Sequence, residues 1–356
     1  MAPSPSGLTR RALLGGLGGS LLASCTPRGL LVATPDLGNG MTQTLWAVSV
    51  EPSARALVAP DYRDRFESIS SFARYEVAIP PSHRVGQVEW PTVKGDPGTS
   101  FGIADLVNLE AEERMFEEIA ARLGPEDEIG VFVHGYNNSY SEALYRHAQI
   151  AFDYGLASPQ ITYVWPSDGK PLGYVADRDN VLISRDGLLR FLDRLSTRFP
   201  NRVLVAAHSM GALLVMEVMR QAALTGNTLA QRLAGMVLIS PDIGMDVFLS
   251  QIAPRGTLPS ETIIVVSQKD RLLHLSQRLA GGQARLGEGS DIEKLESLDI
   301  VVIDLSDAPG GDPRNHLTAM TSPTAISFLQ ALIDDDTVLS DERRSGLLLL
   351  QVTSAL

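Results

Sequence analysis

Short apolar runs alternate with longer amphipathic segments through most of this chain, and this alternation limits its fold more than any other feature. The predicted strands occupy 45–50, 75–79, 129–133, 161–165, 203–207, 236–239, 263–267 and 300–305, and the predicted helices occupy 110–123, 139–154, 180–199, 210–223, 269–279 and 323–334. Strands that alternate with helices build a parallel sheet whose two faces are covered by helices. The predicted fold class is therefore α/β.

The alternation is regular only in part of the chain, which suggests how the protein is divided. Residues 111–334 carry it and form the predicted catalytic core, and 42–110 form a small N-terminal β extension packed on that core. Within the extension, 80–108 is rich in turn residues and has no clear helix. The tail 335–356 mixes charges with a short apolar run, and its position is not predicted.

The N-terminus has the composition of an export signal. Arg10 and Arg11 precede an apolar stretch over 12–23 that contains four glycines. A helix of that length spans about 18 Å, too short for the roughly 30 Å core of a bilayer, whereas a charged start and a short apolar stretch are typical of a secretory signal. The only cysteine of the chain, Cys25, follows directly.

These residues resemble two bacterial signals. The segment TRRALL is similar to the twin-arginine export signal, and LASC is similar to the lipobox of lipoproteins. The resemblance implies a signal peptide over 1–24, a lipidated Cys25 and a tether over 25–41, which would attach the protein to a membrane of the bacterial cell envelope. The alternative is an uncleaved amphipathic N-terminus with a chance cysteine.

Charge and cysteine content exclude several kinds of partner. The chain has 30 Lys+Arg against 42 Asp+Glu, a formal net charge of −12, so a basic nucleic-acid-binding surface is not expected. One cysteine excludes a disulfide framework and a cysteine-based zinc site, and no metal-binding motif occurs. We therefore expect no cofactor, no metal and no nucleic acid.

The segment AHSMG, residues 207–211, stands where a predicted strand turns sharply into a predicted helix. Small residues on both sides of Ser209 permit such a turn, which lifts its hydroxyl above the sheet. The turn also brings the Met210 N–H to a helix N-terminus, where it can stabilise an oxyanion. Ser209 is thus a candidate nucleophile. The alternative is a serine that only caps the helix.

A second motif, HGYNN, directly follows the predicted strand at 129–133. Gly135 lets the backbone approach a substrate, so the Tyr136 N–H is the candidate second oxyanion donor. We interpret His134 as a residue that holds this loop, and Asn138 as the cap of the next helix. Tyr140 and Trp165 are candidates for lining the substrate pocket, although aromatic residues at such positions also serve as packing.

Together these segments resemble the α/β-hydrolase superfamily. AHSMG is similar to its G-x-S-x-G elbow, with Ala207 in place of the first glycine. The segments VFVHGYNNS, ITYVWPS, VAAHSMG and SPDI resemble a bacterial, HGYN-containing branch of mostly uncharacterised esterase- and lipase-like proteins. The resemblance implies the α/β-hydrolase fold, a mostly parallel central sheet between helices, and ester hydrolysis.

The same resemblance suggests the rest of a catalytic triad. His316 lies in a glycine-rich loop after the last predicted strand, where the superfamily places its general base. Two aspartates could orient it: Asp270, after the strand at 263–267, is favoured by the usual position in the superfamily, and Asp242, after 236–239, is the alternative. The order Ser209, Asp270, His316 fits the superfamily.

The predicted function is a serine carboxylesterase that works through an acyl-enzyme. Residues 240–262, where lids commonly insert, have room for one short helix, so a large lid is not expected. A lipase, thioesterase or polyester hydrolase would use the same triad. A protein of another class, a non-catalytic envelope lipoprotein on a hydrolase scaffold, remains an alternative.

Overall fold

The computed structural model describes residues 30–34, 40–50, 71–92, 98–334 and 348–352. Its strands are β1 (Met41–Ser49), β2 (Ser71–Ile79), β3 (Gly102–Leu109), β4 (Ile129–Val133), β5 (Gln160–Val164), β6 (Val203–His208), β7 (Gly235–Ile239), β8 (Thr262–Val266), β9 (Val301–Asp304) and β10 (Leu348–Gln351). Its helices are α1 (Glu112–Ala120), α2 (Tyr140–Asp153), α3 (Tyr174–Arg198), α4 (Met210–Leu224), α5 (Leu229–Arg232), α6 (Met245–Ile252), α7 (Arg271–Leu279), α8 (Thr318–Thr321) and α9 (Pro323–Asp334). The strand–helix alternation predicted for the core is confirmed.

All ten strands form one sheet in the order β10-β9-β8-β7-β6-β4-β5-β1-β2-β3. Among these described strands, every neighbouring pair from β10 to β1 is parallel, and the β1–β2 and β2–β3 pairs are antiparallel. The N-terminal extension therefore continues the central sheet through the β1–β5 pairing instead of forming a separate layer.

Helices cover both faces of the sheet. Successive residues of each strand point to opposite sides, so each strand contributes side chains to the packing on both faces. On one face Trp46 and Val48 join a core that includes the buried sides of α3 and α4. On the other face Leu45 and Ala47 pack with α2, and strands β8 and β9 pack with α9. This double burial explains the nearly unbroken apolar runs of the central strands.

Two strands that the sequence did not predict lie at the outer edges of the sheet. β3 begins within the turn-rich segment 80–108, ends one residue beyond it and has exposed residues in its middle. β10 falls within the unplaced tail and pairs in parallel with β9. β3 loses burial in its middle and has no continuous apolar run, whereas β10 alternates in burial although its sequence, LLLQ, belongs to a short apolar run.

The start of α2 also differs from the sequence interpretation. Ser139, not Asn138, caps this helix: its side chain accepts the Glu142 N–H, and the Glu142 carboxylate accepts the Ser139 N–H. This reciprocal capping box is recognisable in the sequence as Ser-x-x-Glu before an apolar helix. The Asn138 side chain is therefore available for another role.

Parallel strands end at the same edge of a sheet, and here that edge collects the predicted chemistry. The HGYN loop follows β4, Ser209 follows β6, Asp242 follows β7, and Asp270 follows β8. His316 lies in the loop between β9 and α8. The topology thus brings the separate sequence motifs to one place.

Candidate active site

Ser209 occupies a sharp turn between β6 and α4. Its backbone has φ 54° and ψ −119°, a region that residues other than glycine rarely adopt. Backbone hydrogen bonds hold it there: the Ser209 N–H donates to the Ile239 carbonyl at 2.9 Å, and its own carbonyl accepts the Asp242 N–H at 3.2 Å. A strained residue that neighbouring strands over-determine is typical of a functional position.

Two glycines allow the HGYN loop to lie directly against this turn. A Cβ on Gly211 would lie 2.3 Å from the His134 carbonyl oxygen, and one on Gly135 would lie 3.0 Å from the Ser209 Cβ. Any larger residue at either position would push the loop away. The backbone around Tyr136 is thereby brought close to Ser209, and Met210 is the first residue of α4.

His316 is buried and paired with Asp270. Its Nδ1 lies 2.7 Å from Asp270 Oδ2, and the Asp270 side chain is 0% exposed. An ionised carboxylate can only accept, so Nδ1 carries the proton and Nε2 is left as the basic atom. Burial lowers the pKa of the His316 imidazole, but the hydrogen bond and charge of Asp270, together with the charges of Asp242 and Asp312, outweigh it, and the pKa is raised.

The residue before Ser209 contacts this histidine from the sheet side. His208 Nε2 donates to the His316 carbonyl at 3.2 Å, and the two ring centroids are 4.7 Å apart. Burial and the charge of His316 hold the pKa of His208 well below its usual value, so His208 is neutral and positions the loop. Ser209 and His316 are therefore brought into the same small region.

Asp242, the alternative acid, has other partners. Its Oδ2 accepts the Tyr174 hydroxyl at 2.8 Å, and its Oδ1 accepts the Ser276 hydroxyl at 2.6 Å and lies 3.3 Å from Arg285 Nε. Arg285 is as buried as Asp242, so the two form an interior ion pair. Of the two candidate acids, Asp270 is the one hydrogen-bonded to His316.

A family comparison agrees with this fold. Residues 110–335 match the family described as "Alpha/beta hydrolase of unknown function (DUF900)". The chain belongs to this alpha/beta-hydrolase family. The match spans strands β4 to β9, helices α1 to α9 and all the candidate site residues described above except Cys25, which lies far upstream.

Solved structures similar to this alpha/beta hydrolase are distant. An esterase from Pyrobaculum calidifontis is 14% identical, with 61% of this chain and 79% of that chain covered and a TM-score of 0.36. An esterase/lipase from an uncultured bacterium is 10% identical, with 99% and 84% covered and a TM-score of 0.32. Similarity at these identities and TM-scores says nothing about the substrate of this protein. A comparison with curated proteins found no match.

In this hydrolase His134 supports the loop that it begins. Its Nε2 accepts the Trp165 N–H at 3.2 Å and its Nδ1 donates to the Gly135 carbonyl at 2.9 Å, which defines a neutral tautomer. Burial lowers the pKa of His134 to about 4, so the ring stays uncharged. The structure agrees with the interpretation of His134 as a residue that holds the loop.

The two aromatic candidates for the substrate pocket are engaged in packing. Trp165 is 1% exposed, stacks on His134 and donates from Nε1 to the His134 carbonyl at 2.7 Å, so it backs the loop and presents no surface to a substrate. The Tyr140 hydroxyl lies 3.0 Å from the Tyr75 hydroxyl of β2, so its ring faces the N-terminal strands. The ring of Tyr174 instead meets the ring of Tyr136, in the HGYN loop, edge-on at a centroid distance of 5.5 Å.

The loop that carries His316 is held more firmly than its glycine-rich sequence suggests. Asp312 accepts the Leu317 N–H at 2.7 Å, and the Arg314 carbonyl accepts the Arg271 N–H at 2.9 Å. Asn315 donates from its side chain to the Lys269 carbonyl at 3.2 Å. The first contact lies within the loop, and the other two fasten the loop to the start of α7, where Asp270 lies.

The described residues also bear on metal binding and on membrane spanning. Among these residues, no group of three or more His, Cys, Asp or Glu side chains is arranged to hold a metal ion. In the same part of the chain, none of the helices combines the length and apolarity needed to cross a bilayer. Cys25 and the signal segment 1–24 lie outside the described residues.

Proposed function

We propose that this alpha/beta hydrolase cleaves carboxylic esters with Ser209 as nucleophile, His316 as general base and Asp270 as the acid that orients it. The observation that carries the proposal is the buried Asp270–His316 hydrogen bond of 2.7 Å beside the strained turn at Ser209. A nucleophile, a base and an orienting acid are the groups that acyl transfer needs.

The proposed reaction has two halves. His316 Nε2 takes the Ser209 proton as Oγ attacks the ester carbonyl, and the Tyr136 and Met210 N–H groups stabilise the resulting oxyanion. The imidazolium then protonates the leaving alcohol. Water, activated by the same imidazole, releases the acid from the acyl-enzyme.

The short connection after β7 supports a preference for soluble esters. It contains α6, of eight residues, which is too small to close over a long acyl chain. The net charge of −12 disfavours anionic substrates. We therefore propose neutral esters with short to medium acyl chains, hydrolysed with ordinary saturation and without a rate jump when long-chain esters form emulsions.

The test compares the wild type with Ser209→Ala on a series of p-nitrophenyl esters of increasing chain length. We expect the variant to fold and to lose activity by about 10³-fold or more. A folded Ser209→Ala protein that retains turnover would refute the role of Ser209. A sharp rise in rate above the solubility limit of long-chain esters would instead identify a lipase.

For location, we propose that the mature protein is attached to a membrane of the bacterial envelope through a lipidated Cys25. The position of the only cysteine after an apolar stretch supports this proposal. A multiply acylated cysteine supplies the two signals that stable anchoring requires. Cys25→Ser should leave the protein soluble or unprocessed on fractionation, and unchanged processing and membrane association would contradict it.

A further inference from the structure

The peptide group between Gly135 and Tyr136 is held from behind by two side chains. The Gly135 carbonyl accepts the His134 Nδ1–H at 2.9 Å and the Asn138 side-chain N–H at 3.1 Å. In a trans peptide the N–H points opposite to the carbonyl of the same plane. Fixing the Gly135 carbonyl therefore fixes the direction of the Tyr136 N–H.

The next peptide group, between Tyr136 and Asn137, is held in a similar way. The Tyr136 carbonyl accepts the Asn138 side-chain N–H at 3.1 Å, and the Asn137 N–H donates to Asp177 Oδ2 at 3.2 Å. Asn137 has φ 61°, a left-handed conformation that is uncommon outside glycine and needs such support. Both peptide planes that flank Tyr136 are thus fastened.

Asp177 connects this loop to the segment that follows β5. The side chain lies in the first turn of α3 and the residue is 0% exposed. Besides the Asn137 N–H it accepts the Ser167 hydroxyl at 2.6 Å and the Asp168 N–H at 2.6 Å, and Ser167 Oγ accepts the Asn138 N–H at 3.3 Å. One carboxylate thus organises two loops.

The buried carboxylate of Asp177 is stabilised by hydrogen-bond donors and not by an ion pair. Within the described ranges, none of the ion pairs involves Asp177. A buried carboxylate is costly unless hydrogen bonds satisfy it, and here two backbone N–H groups and a hydroxyl do so.

We propose that Asp177 is a positioning residue that holds the Tyr136 N–H in line for the oxyanion of the reaction. The inference rests on the proposed function, because it concerns the donor that the function requires. Asp177 touches neither the substrate nor Ser209 in this role. It acts through the Asn137 peptide and, by way of Ser167, through Asn138.

Replacement by asparagine tests this role because it changes the hydrogen bonding and not the size. All three partners of Asp177 are donors, whereas an asparagine presents one oxygen and one NH2 group. The NH2 group of the asparagine would then face an N–H or O–H group, so that two donors would point at each other without an acceptor. The loop should shift, and a displaced oxyanion donor weakens binding of the transition state more than binding of the ester.

The experiment measures kcat and KM for Asp177→Asn, with active sites counted by fluorophosphonate titration. We expect kcat per active site to fall about 10- to 100-fold, with KM within about twofold of the wild type. Affinity for an alkyl boronic acid, which forms a tetrahedral adduct on the serine, should fall by a similar factor. Asp193→Asn, the same change further along α3 in a residue that pairs with Arg232, is the control and should keep the wild-type values.

Each outcome bears on the inference separately from the proposed function. If the wild type neither hydrolyses esters nor reacts with the fluorophosphonate, the proposed function fails first. If the wild type is active and Asp177→Asn lowers only the melting temperature or the number of active sites, with kcat per site unchanged, Asp177 is purely structural and the inference is overturned. If Asp177→Asn does not fold, Ser167→Ala removes one donor and the link to Asn138, and should lower kcat several-fold; wild-type kcat in Ser167→Ala would then overturn the inference.

Discussion

Asp270 uses its two carboxylate oxygens for two different tasks: Oδ1 caps helix α7, and Oδ2 holds the imidazole of His316. Oδ1 accepts the Leu272 and Leu273 N–H groups at 2.9 and 3.0 Å, while Oδ2 lies 2.7 Å from His316 Nδ1. The helix cap fixes the carboxylate, and the carboxylate in turn fixes the imidazole. The proposed acid is therefore anchored by the secondary structure that begins with it.

This double role predicts that Asp270→Asn will damage catalysis but not the fold. Asparagine caps helices about as well as aspartate, so α7 should remain intact. Its side chain, however, can donate to His316 Nδ1, which favours the wrong tautomer and removes the charge that stabilises the imidazolium. We expect kcat for a p-nitrophenyl ester to fall by about 10³- to 10⁴-fold, with a melting temperature near that of the wild type.

Asp242→Asn should show the reverse pattern. This change leaves Arg285 as a buried cation without its partner, which costs about 3–5 kcal/mol of stability when an interior ion pair is broken. The folded fraction should keep kcat within about tenfold of the wild type, because Asp242 does not contact His316. A large loss of kcat in Asp242→Asn, with little loss in Asp270→Asn, would assign the acid to β7 instead.

The activity should depend on the neutral form of His316. Burial lowers the pKa of this imidazole, but the hydrogen bond and charge of Asp270, together with the charges of Asp242 and Asp312, raise it by more, so the net pKa is above 6.5. Below that pKa the imidazole is protonated and cannot accept the Ser209 proton, so kcat/KM should rise with pH through a midpoint above 6.5. In Asp270→Asn the supporting charge is lost and the midpoint should move to lower pH. A wild-type midpoint at or below 6.5 would contradict the pairing.

The close approach of the two loops predicts that Gly211 cannot be replaced. A Cβ there would lie 2.3 Å from the His134 carbonyl oxygen and 2.6 Å from that of Val133, and both are backbone atoms that cannot rotate away. We expect Gly211→Ala to lose at least about 10²-fold in kcat or to fail to fold. Gly187→Ala in α3, whose Cβ would lie 3.3 Å from the Tyr163 hydroxyl, is the control.

In that control, alanine favours the helix by up to about 1 kcal/mol, which offsets a tight contact, and activity should be unchanged. Melting temperatures and ester turnover of both variants check the prediction. Wild-type behaviour of Gly211→Ala would mean that the HGYN loop does not lie against the start of α4.

The sequence predicted the core of the fold because central strands carry an unbroken apolar signal and helices follow each of them. It missed β3 because the middle of this edge strand is exposed and resembles a loop, and it left the apolar run of β10 unplaced because so short a run does not show what it pairs with. Ser209 was found because it lies in a recognisable strand–turn–helix motif, whereas Asp270 and His316 were chosen by the resemblance to the α/β-hydrolase superfamily, with Asp242 as the alternative acid. Their roles in catalysis stay predictions, although the Asp270–His316 contact agrees with them.

Long-range contacts were harder to predict than local motifs. Asp177 lies inside a helix, 40 residues from the Asn137 backbone that it binds, and no local pattern marks it. The prediction of 180–199 for this helix began after Asp177, so the residue was not even assigned to it. Trp165, by contrast, was predicted as a pocket candidate. An aromatic residue at the end of a strand can face the substrate or pack behind the neighbouring loop, and Trp165 packs behind the HGYN loop, against His134.

The central claim, that Ser209 is the nucleophile, is tested most directly by the mass of one tryptic peptide after reaction with a fluorophosphonate. Cleavage after Arg202 and Arg220 releases residues 203–220, in which Ser209 is the only hydroxyl-bearing residue. We predict that the adduct appears on Ser209 in the wild type, is lost when His316 is replaced by alanine, and is blocked by a competing short-chain ester. An unmodified 203–220 peptide from a folded, ester-hydrolysing protein, or an adduct on another serine that accounts for its inactivation, would contradict the claim.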